Sequence, residues 1–521
     1  MPARLHPGVY VEEVPGGARS IEGASTSTAI FVGETERGPT EATRIKGLGG
    51  FRRLFGGHLR DGTNGPERCP LAYAMEGFFQ NGGRDAYVLR AIDASAADTA
   101  GRTVDGSLGQ DTVRLVASSP GEWGNRVGVE FLVSTDGDAN RFRVAVLYAP
   151  PGGTFAANGS VVEVWDRLST DPGDENFLVD VLRRSNYVRW DESLAPDRPA
   201  ALDSNDASIT ESGVEALDTG GLSGGSGGDA DLAAGDYPAA LARLDGVTDA
   251  SLFVMPGKVG GVYEAGFAYV LARRQRDLFY VADLEAQSGP DTTQAVQAVR
   301  GAFAGLTKSD FAAVYWPHVR VSDPVGDGAD PTYLAPPSGH VAGIYSRTDA
   351  RRGVWKAPAG VEAVVGGIRG LDHQVLDEHQ DDLNPLGINA LRVLPAAGSV
   401  VWGARTQTPS SEWRYVPVRR TAIFLRKSIY NGIQWAVFEP NSQALWSSLR
   451  LTIGAFMEQL FRQGAFAGAT SKEAYFVKVD EETTTEADQA AGVVNVWVGF
   501  APQRPAEFVV VYLQQMVQQN G

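Results

Sequence analysis

The sequence has a single cysteine, Cys69. That excludes a disulfide framework and any zinc or iron–sulfur site built on several thiolates. Long apolar runs are also missing: the longest are about half a dozen residues, against roughly 20 needed to span a bilayer, so no membrane span is expected. The opening residues, MPARLHPGVY, lack the apolar core of a secretory signal, which points to cytoplasmic synthesis. Basic charge is in deficit, with 46 Lys+Arg against 63 Asp+Glu and a net charge of −17. A phosphate lattice selects the opposite balance, so nucleic acid is not expected as the main partner, although a local basic patch remains open. Only 7 of the 46 cations are lysine and 39 are arginine, the better residue for bidentate contacts. What is present is ordinary for folded protein. With 521 residues, 43% hydrophobic and 21% charged, the chain can bury several cores.

Hydrophobic periodicity divides the chain. Val9–Val14 is a short strand candidate closed by Pro15-Gly16-Gly17, an arm within residues 1–20. A strand at 25–33, a helix at 68–80 and a strand at 87–91 give a β–α–β pattern. Residues 96–235 read as a β-rich insertion, with strands at 112–117, 127–133, 141–148 and 160–165, then a loop-rich stretch 166–235 with a Gly-rich linker. The α/β alternation resumes with strands at 251–255, 278–282 and 311–316 and helices at 237–244, 261–276 and 291–306. The simplest account is a partly parallel α/β domain, 21–95 plus 236–345, interrupted by the insertion. A C-terminal α+β domain follows at 346–505. There 413–426 read as strand-like, 442–463 as an amphipathic helix (Ser442 cap, Gly464 stop), and 474–479, 493–500 and 507–513 as strands. Residues 506–521 form a second terminal arm.

The search for catalytic chemistry returns little. Gly221-Leu222-Ser223-Gly224-Gly225 fits G-x-S-x-G, but a nucleophile elbow needs an apolar strand before it and a helix after it, and Ser223 has neither. Gly257-Lys258 is followed by Val259, so no phosphate loop is formed, and no G-x-G-x-x-G follows a strand. His373 and His379, among Asp372, Asp377, Glu378, Asp381 and Asp382, are spaced for opposite helix faces rather than for one metal. Cys69 beside Arg68 reads as a small buried side chain. The pairs Asp283/Glu285 and Asp323/Asp327 end strands where open α/β sheets bind ligands, and equally where any strand meets solvent. No enzyme, cofactor or metal is expected.

The termini are more informative. Phe508-Val509-Val510-Val511-Tyr512-Leu513 is apolar on both faces and close to the end. An unpaired strand of that kind aggregates, so it must be paired and covered. Val9, Tyr10, Val11, Glu12 and Val14 make a matching strand at the other end. Pairing within the same subunit and strand addition to neighbouring subunits both satisfy this pattern. Head-to-tail addition builds open helical filaments.

Specific runs then carry a resemblance. Residues 333–360, Leu383–Asn389 with Leu391-Arg392, Val401–Thr406, Trp413–Arg420, Trp435–Asn441, Gly499–Pro502 and Pro505–Phe508 resemble contractile tail sheath proteins. Pro7–Glu13, Phe78–Gly83 and Ser119–Asn125 are similar to the same family, in the same order. The resemblance implies a structural subunit that stacks in rings, hexameric in expectation, around an inner tube and contracts to drive the tube through a target envelope. Its partners would be copies of itself, the tube protein, baseplate and cap proteins, and sheath paralogues, in a phage or phage tail-like particle. The C-terminal domain would lie innermost and the insertion outermost, with both arms interlocking neighbours. By analogy with the family's attachment helix, Arg450, Arg462 and Lys472 become tube-facing candidates. Arg351, Arg352, Trp355 and Lys356 would pack between domains or between subunits. The alternatives are a baseplate or cap component, a serine hydrolase using Ser223, and a glycan-binding role for 96–215.

Overall fold

The computed structural model describes residues 20–58, 70–92, 98–149, 159–200, 202, 220–224, 232, 234–326, 329 and 331–508. The chain forms two compact units. The larger holds Ser25–Arg420 and the segment from Pro505, and the smaller holds Thr421–Arg504 and the segment up to Ala24. The protein is mixed α/β with several sheets.

The larger unit is built on an eight-stranded sheet. Its spatial order is Gly398–Val401, Ile388–Leu394, Ala312–Trp316, Phe279–Asp283, Leu252–Val254, Ala29–Gly33, Asp85–Arg90, Thr43–Lys46. The six inner strands are parallel, and the two outermost are antiparallel edges. Ala29–Gly33, Phe279–Asp283 and Ala312–Trp316 are buried at every residue. That explains their unbroken apolar character, because a parallel sheet is covered on both faces. Numbered by chain order, the parallel strands lie 2-1-3-4-5-6, so the order reverses between Ala29–Gly33 and Leu252–Val254. The strands expected near 25–33, 87–91, 251–255, 278–282 and 311–316 are these. Two further strands come from beyond residue 346.

The helices Pro70–Gln80 and Ser338–Arg352 pack closely within this unit. A Cβ on Gly339 would stand 2.3 Å from the Ala74 carbonyl oxygen, and one on Gly343 would stand 2.5 Å from that of Phe78. Only glycine lets the two backbones approach this far.

The insertion folds into two further sheets. Gly220–Gly221, Val127–Val133, Phe142–Tyr148 and Ser160–Leu168 form one, and Gly101–Gly106, Gly109–Ala117 and Val188–Trp190 the other. Both feed one core that includes Trp123, Phe131, Val144, Leu178 and Trp190. A buried polar network ties this core to the central sheet. Glu36, just past the strand Ala29–Gly33, accepts from the Tyr148 hydroxyl and lies 3.4 Å from Arg126. Arg37 lies over the Tyr187 ring at 4.6 Å.

One expectation gains detail and one needs correction. The loop-rich stretch 166–235 holds short elements. Leu178–Leu182 is a helix and Val188–Trp190 a strand, because their apolar side chains complete the insertion core. The run 413–426 is not a strand but enters the helix Val416–Gly432. Val416, Val418, Arg420, Thr421, Ile423 and Leu425 are all buried. A helix buried around most of its surface shows no 3.6-residue stripe, and its short apolar runs then look like a strand.

The smaller unit centres on the helix Gln443–Arg462, whose expected stripe of Leu445, Leu449, Ile453, Phe456 and Leu460 is buried. The antiparallel pair Tyr475–Lys478 and Trp497–Phe500 packs on it. Leu445, Trp446, Leu449 and Val479 form its core with Ile433, Trp435, Val477 and Val496 against them. No helix among the described residues is long and apolar enough to cross a membrane.

Candidate assembly surface

The places where enzyme chemistry would sit are filled by structural contacts. Ligands of doubly wound sheets bind outside the carboxyl ends of the strands where the order reverses. Here Glu34 follows the first of those strands and receives Lys258 at 2.5 Å and the Tyr237 hydroxyl at 3.2 Å. Asp283 is fully buried and accepts from the Ser338 amide at 2.8 Å, the Ser338 hydroxyl at 2.6 Å and the Gly257 amide at 2.9 Å. Burial pushes its carboxyl up to about 6, against those three donors. Asp323 accepts from the Tyr73 hydroxyl at 2.7 Å. Ser223 lies in an isolated bridge with Gly101, with no helix directly after it among the described residues. His373 and His379 are buried, the first stacked on Trp316 and the second beside the Thr293 hydroxyl. Among the described residues no group of three or more His, Cys, Asp or Glu is placed to hold a metal. Cys69 lies outside the described residues.

The smaller unit offers a different kind of site. Its two-stranded sheet pairs Tyr475 with Phe500, Phe476 with Gly499, Val477 with Val498 and Lys478 with Trp497. Strand alternation sends Tyr475, Val477, Val498 and Phe500 to one face. Phe466 contacts the Tyr475 and Phe500 rings there, and the Tyr475 hydroxyl donates to Glu458 at 3.1 Å. The other face presents Phe476 and Trp497 at 55% and 58% exposure. A Cβ on Gly499 would stand 2.2 Å from the Phe476 ring, so glycine there lets the ring lie across the partner strand. Among the described residues nothing pairs with either outer edge of this sheet. Two strands with open edges and exposed aromatic residues form a surface ready to receive another strand.

The tube-facing candidates lie in the same unit. Arg450 is exposed, yet donates to the Val479 carbonyl at 2.7 Å and to the Ser447 hydroxyl at 3.3 Å. Arg462 is 76% exposed and pairs with Glu458 one turn back at 2.9 Å. Lys472 is exposed on the short helix Ser471–Ala474. Twelve residues place Arg450 and Arg462 about 18 Å apart along the helix axis and on different faces, so they do not make one cluster.

In the larger unit, Arg351 and Arg352 end the helix Ser338–Arg352 on the surface, and Arg352 forms a forked pair with Glu362 at 2.9 and 3.0 Å. Trp355 is half-buried over Gly353, and Lys356 donates to the Ala357 carbonyl at 3.0 Å. Partial burial lowers the Lys356 ammonium from its ordinary range.

The arms fall almost wholly outside the description. Val9, Tyr10, Val11, Glu12, Val14, Val509, Val510, Val511, Tyr512 and Leu513 lie outside the described residues, and Phe508 is 76% exposed. The roots of both arms are visible. In the smaller unit Ile21 is buried against Gly432, and the Ala24 amide donates to the Ser428 hydroxyl at 2.9 Å. In the larger unit Glu507 is held by Arg405 at 2.8 and 2.5 Å and by the Tyr415 hydroxyl at 3.1 Å. Both residues lie in runs that carry the family resemblance, yet the sequence gives neither a role. They stand 102 residues apart, and no local pattern links them.

Comparison with known proteins places these features in a family. The family models for the phage tail sheath protein central domain and the phage tail sheath C-terminal domain match residues 232–407 and 408–515. The prophage major tail sheath protein of Pseudomonas aeruginosa (strain UCBPP-PA14) is 28% identical over 177 residues, which are 33% of this chain and 44% of that protein. The tail sheath protein of Vibrio phage KVP40 is 30% identical over 129 residues, 24% of this chain and 19% of that protein. The matches thus span less than half the length of either relative. The fold is shared with the contracted sheath complex of an extracellular contractile injection system (TM-score 0.58, 23% identity, 100% of both chains). A sheath tail protein from Listeria innocua also shares it (TM-score 0.57, 12% identity, 93% of this chain and 96% of that one).

Proposed function

Because the chain belongs to the phage tail sheath family, we propose that it is a structural subunit of a contractile sheath, polymerising around an inner tube and contracting to drive that tube through a target envelope. The observation that carries this reading is the two-stranded sheet Tyr475–Lys478/Trp497–Phe500, with both edges open among the described residues. A free-standing pair of strands is marginal in water, and added strands complete it. The terminal segments Val9–Val14 and Phe508–Leu513 are the right kind of strand to do so from neighbouring copies. That linkage is heterologous and produces a helical polymer, with rings expected to be hexameric.

Contraction is then a rigid-body rotation of subunits that stay tied through their arms while burying more surface between them. No nucleotide is needed, because the extended lattice holds the energy from assembly onward. Arg450, Arg462 and Lys472 are the proposed tube contacts. Baseplate, cap and paralogous sheath proteins are the proposed further partners, and the insertion is the outermost part. Arg351, Arg352, Trp355 and Lys356 are assigned to packing between domains or between subunits. Synthesis and assembly in the cytoplasm, and release as part of a phage or tail-like particle, complete the reading. The alternative within the same machine is a baseplate or cap component, which would not need two arms.

Negative-stain electron microscopy of the full chain, expressed with and without its tube protein, tests the proposal. Striated hollow tubes or helical sheaths are expected. Compact monomers or closed small oligomers at high concentration, with tube supplied, would overturn it.

A further inference from the structure

Where the C-terminal arm leaves the body decides the direction in which it meets a neighbour. That exit point is fixed by Glu507, whose side chain is 17% exposed and faces an Arg405 side chain 11% exposed. Arg405 forks onto both carboxylate oxygens, and Tyr415 donates to one of them.

Arg405 is itself tied into the fold. Its other guanidinium nitrogen donates to the Asn384 carbonyl at 2.8 Å. Its backbone amide donates to Asn389 Oδ1 at 2.7 Å, and Asn389 Nδ2 donates to the Arg405 carbonyl at 2.8 Å. The same Nδ2 reaches the Val314 carbonyl at 3.1 Å. Asn389 is buried in Ile388–Leu394, and Val314 sits in the neighbouring parallel strand. A continuous path of polar contacts runs from Glu507 through Arg405 and Asn389 into two strands of the central sheet.

We propose that the Arg405–Tyr415–Glu507 clip is the anchor through which the C-terminal arm passes tension into the central sheet, which makes Glu507 a positioning residue for sheath assembly and contraction. The proposal rests on the reading of 506–521 as an inter-subunit arm. A charge-assisted forked pair suits this task. It is directional, and it resists sliding in a way that an apolar contact does not. With the clip open, Pro505–Phe508 is no longer held to the sheet, and the arm loses its direction.

The test uses the full chain with Glu507→Gln, Glu507→Ala and Tyr415→Phe, and a chain ending at residue 508, each co-expressed with the tube protein. Melting of the chain alone reports folding. Microscopy counts sheaths before and after triggered contraction. The Glu507 variants are expected to melt with the parent and to yield roughly tenfold fewer intact contracted sheaths. Should loss of the acid unfold the chain, Tyr415→Phe removes only the hydroxyl bond, with roughly a two- to tenfold loss of contracted sheaths expected. If Glu507→Ala assembles and contracts like the parent while the truncated chain does not assemble, the anchor is overturned and the arm stands. If the truncated chain also assembles, the arm reading falls and takes the anchor with it.

Discussion

At the scale of residues, the larger unit is stiffened by charges that have no access to water. Arg420 and Asp349 form a forked pair at 2.9 and 2.5 Å with both side chains 3% exposed, and Arg420 also donates to the Thr26 carbonyl and lies 4.7 Å over the Tyr345 ring. Arg90 is fully buried and donates to the carbonyls of Gly38 and Pro120. Such groups fix a single packing arrangement, because losing one partner strands the other charge. His318 and His340 are buried as neutral rings, and burial pulls each down to about 4 from an ordinary 6.5. The unfolded chain therefore binds more protons in this window. The contribution of these rings to stability is complete above about pH 6.5 and is lost as pH falls toward 4, on the order of 3 kcal/mol each. Asp283, raised to about 6, works in the opposite sense: its contribution is present below about pH 4 and lost as pH rises through 6. Two histidines outweigh one aspartate, so denaturant midpoints are expected to drop between pH 6.5 and 4.5. Asp283→Asn should make that drop steeper. A variant with a flatter profile than the parent would overturn this account.

At the scale of elements, the helix Gln443–Arg462 separates what holds it from what only marks it. Ser442 occupies the cap position, yet its side chain makes no capping bond. Ser442→Ala is therefore expected to shift stability by less than about 0.5 kcal/mol. Ile453 is fully buried on the apolar stripe, so Ile453→Ala should cost about 2–5 kcal/mol in urea unfolding monitored by tryptophan fluorescence. Equal effects from the two would overturn this ordering of packing over cap. The stop at Gly464 is of another kind. Its φ of +80° lies where side chains are strained, and its amide donates to the Phe461 carbonyl at 2.9 Å, closing the last turn. The helix Val416–Gly432 shows how one element escapes pattern reading. Pro417 is tolerated because it sits in the first turn, where its missing donor has no partner to lose. Arg419 is spent inside, over the rings of Trp413 and Phe311 at 3.6 and 4.5 Å. A helix that turns Arg419 and Arg420 inward shows no polar face over that half of its sequence.

At the scale of the whole molecule, the proposed arms and the proposed tube contacts carry the prediction. Reversing Arg450 and Arg462 together to glutamate should weaken co-assembly with an acidic tube surface, more so at low salt, where screening is least. Arg450 also closes on the Val479 carbonyl, so the melting curve of the variant is the necessary companion measurement. Normal co-assembly by sedimentation and microscopy would sink the tube-facing assignment. Deleting residues 1–17 should leave a folded subunit that cannot polymerise, because Ile21 and Ala24, which seat the arm's root, are retained. Tubes formed by that truncation would remove the N-terminal arm from the linkage.

The sequence by itself determined the alternation of strands and helices in the central sheet, the apolar stripe of Gln443–Arg462 and the ordered motifs of the family. All of these are local or periodic and can be read along one segment. Only the tertiary structure decided that Lys258 and Tyr237 close on Glu34 where the strand order reverses, that Leu178–Leu182 completes the insertion core, and that Glu507 closes on Arg405. Those partners lie tens to hundreds of residues apart. Their pairing follows from burial and from matching charge across folded surfaces, and neither quantity exists until the chain has folded.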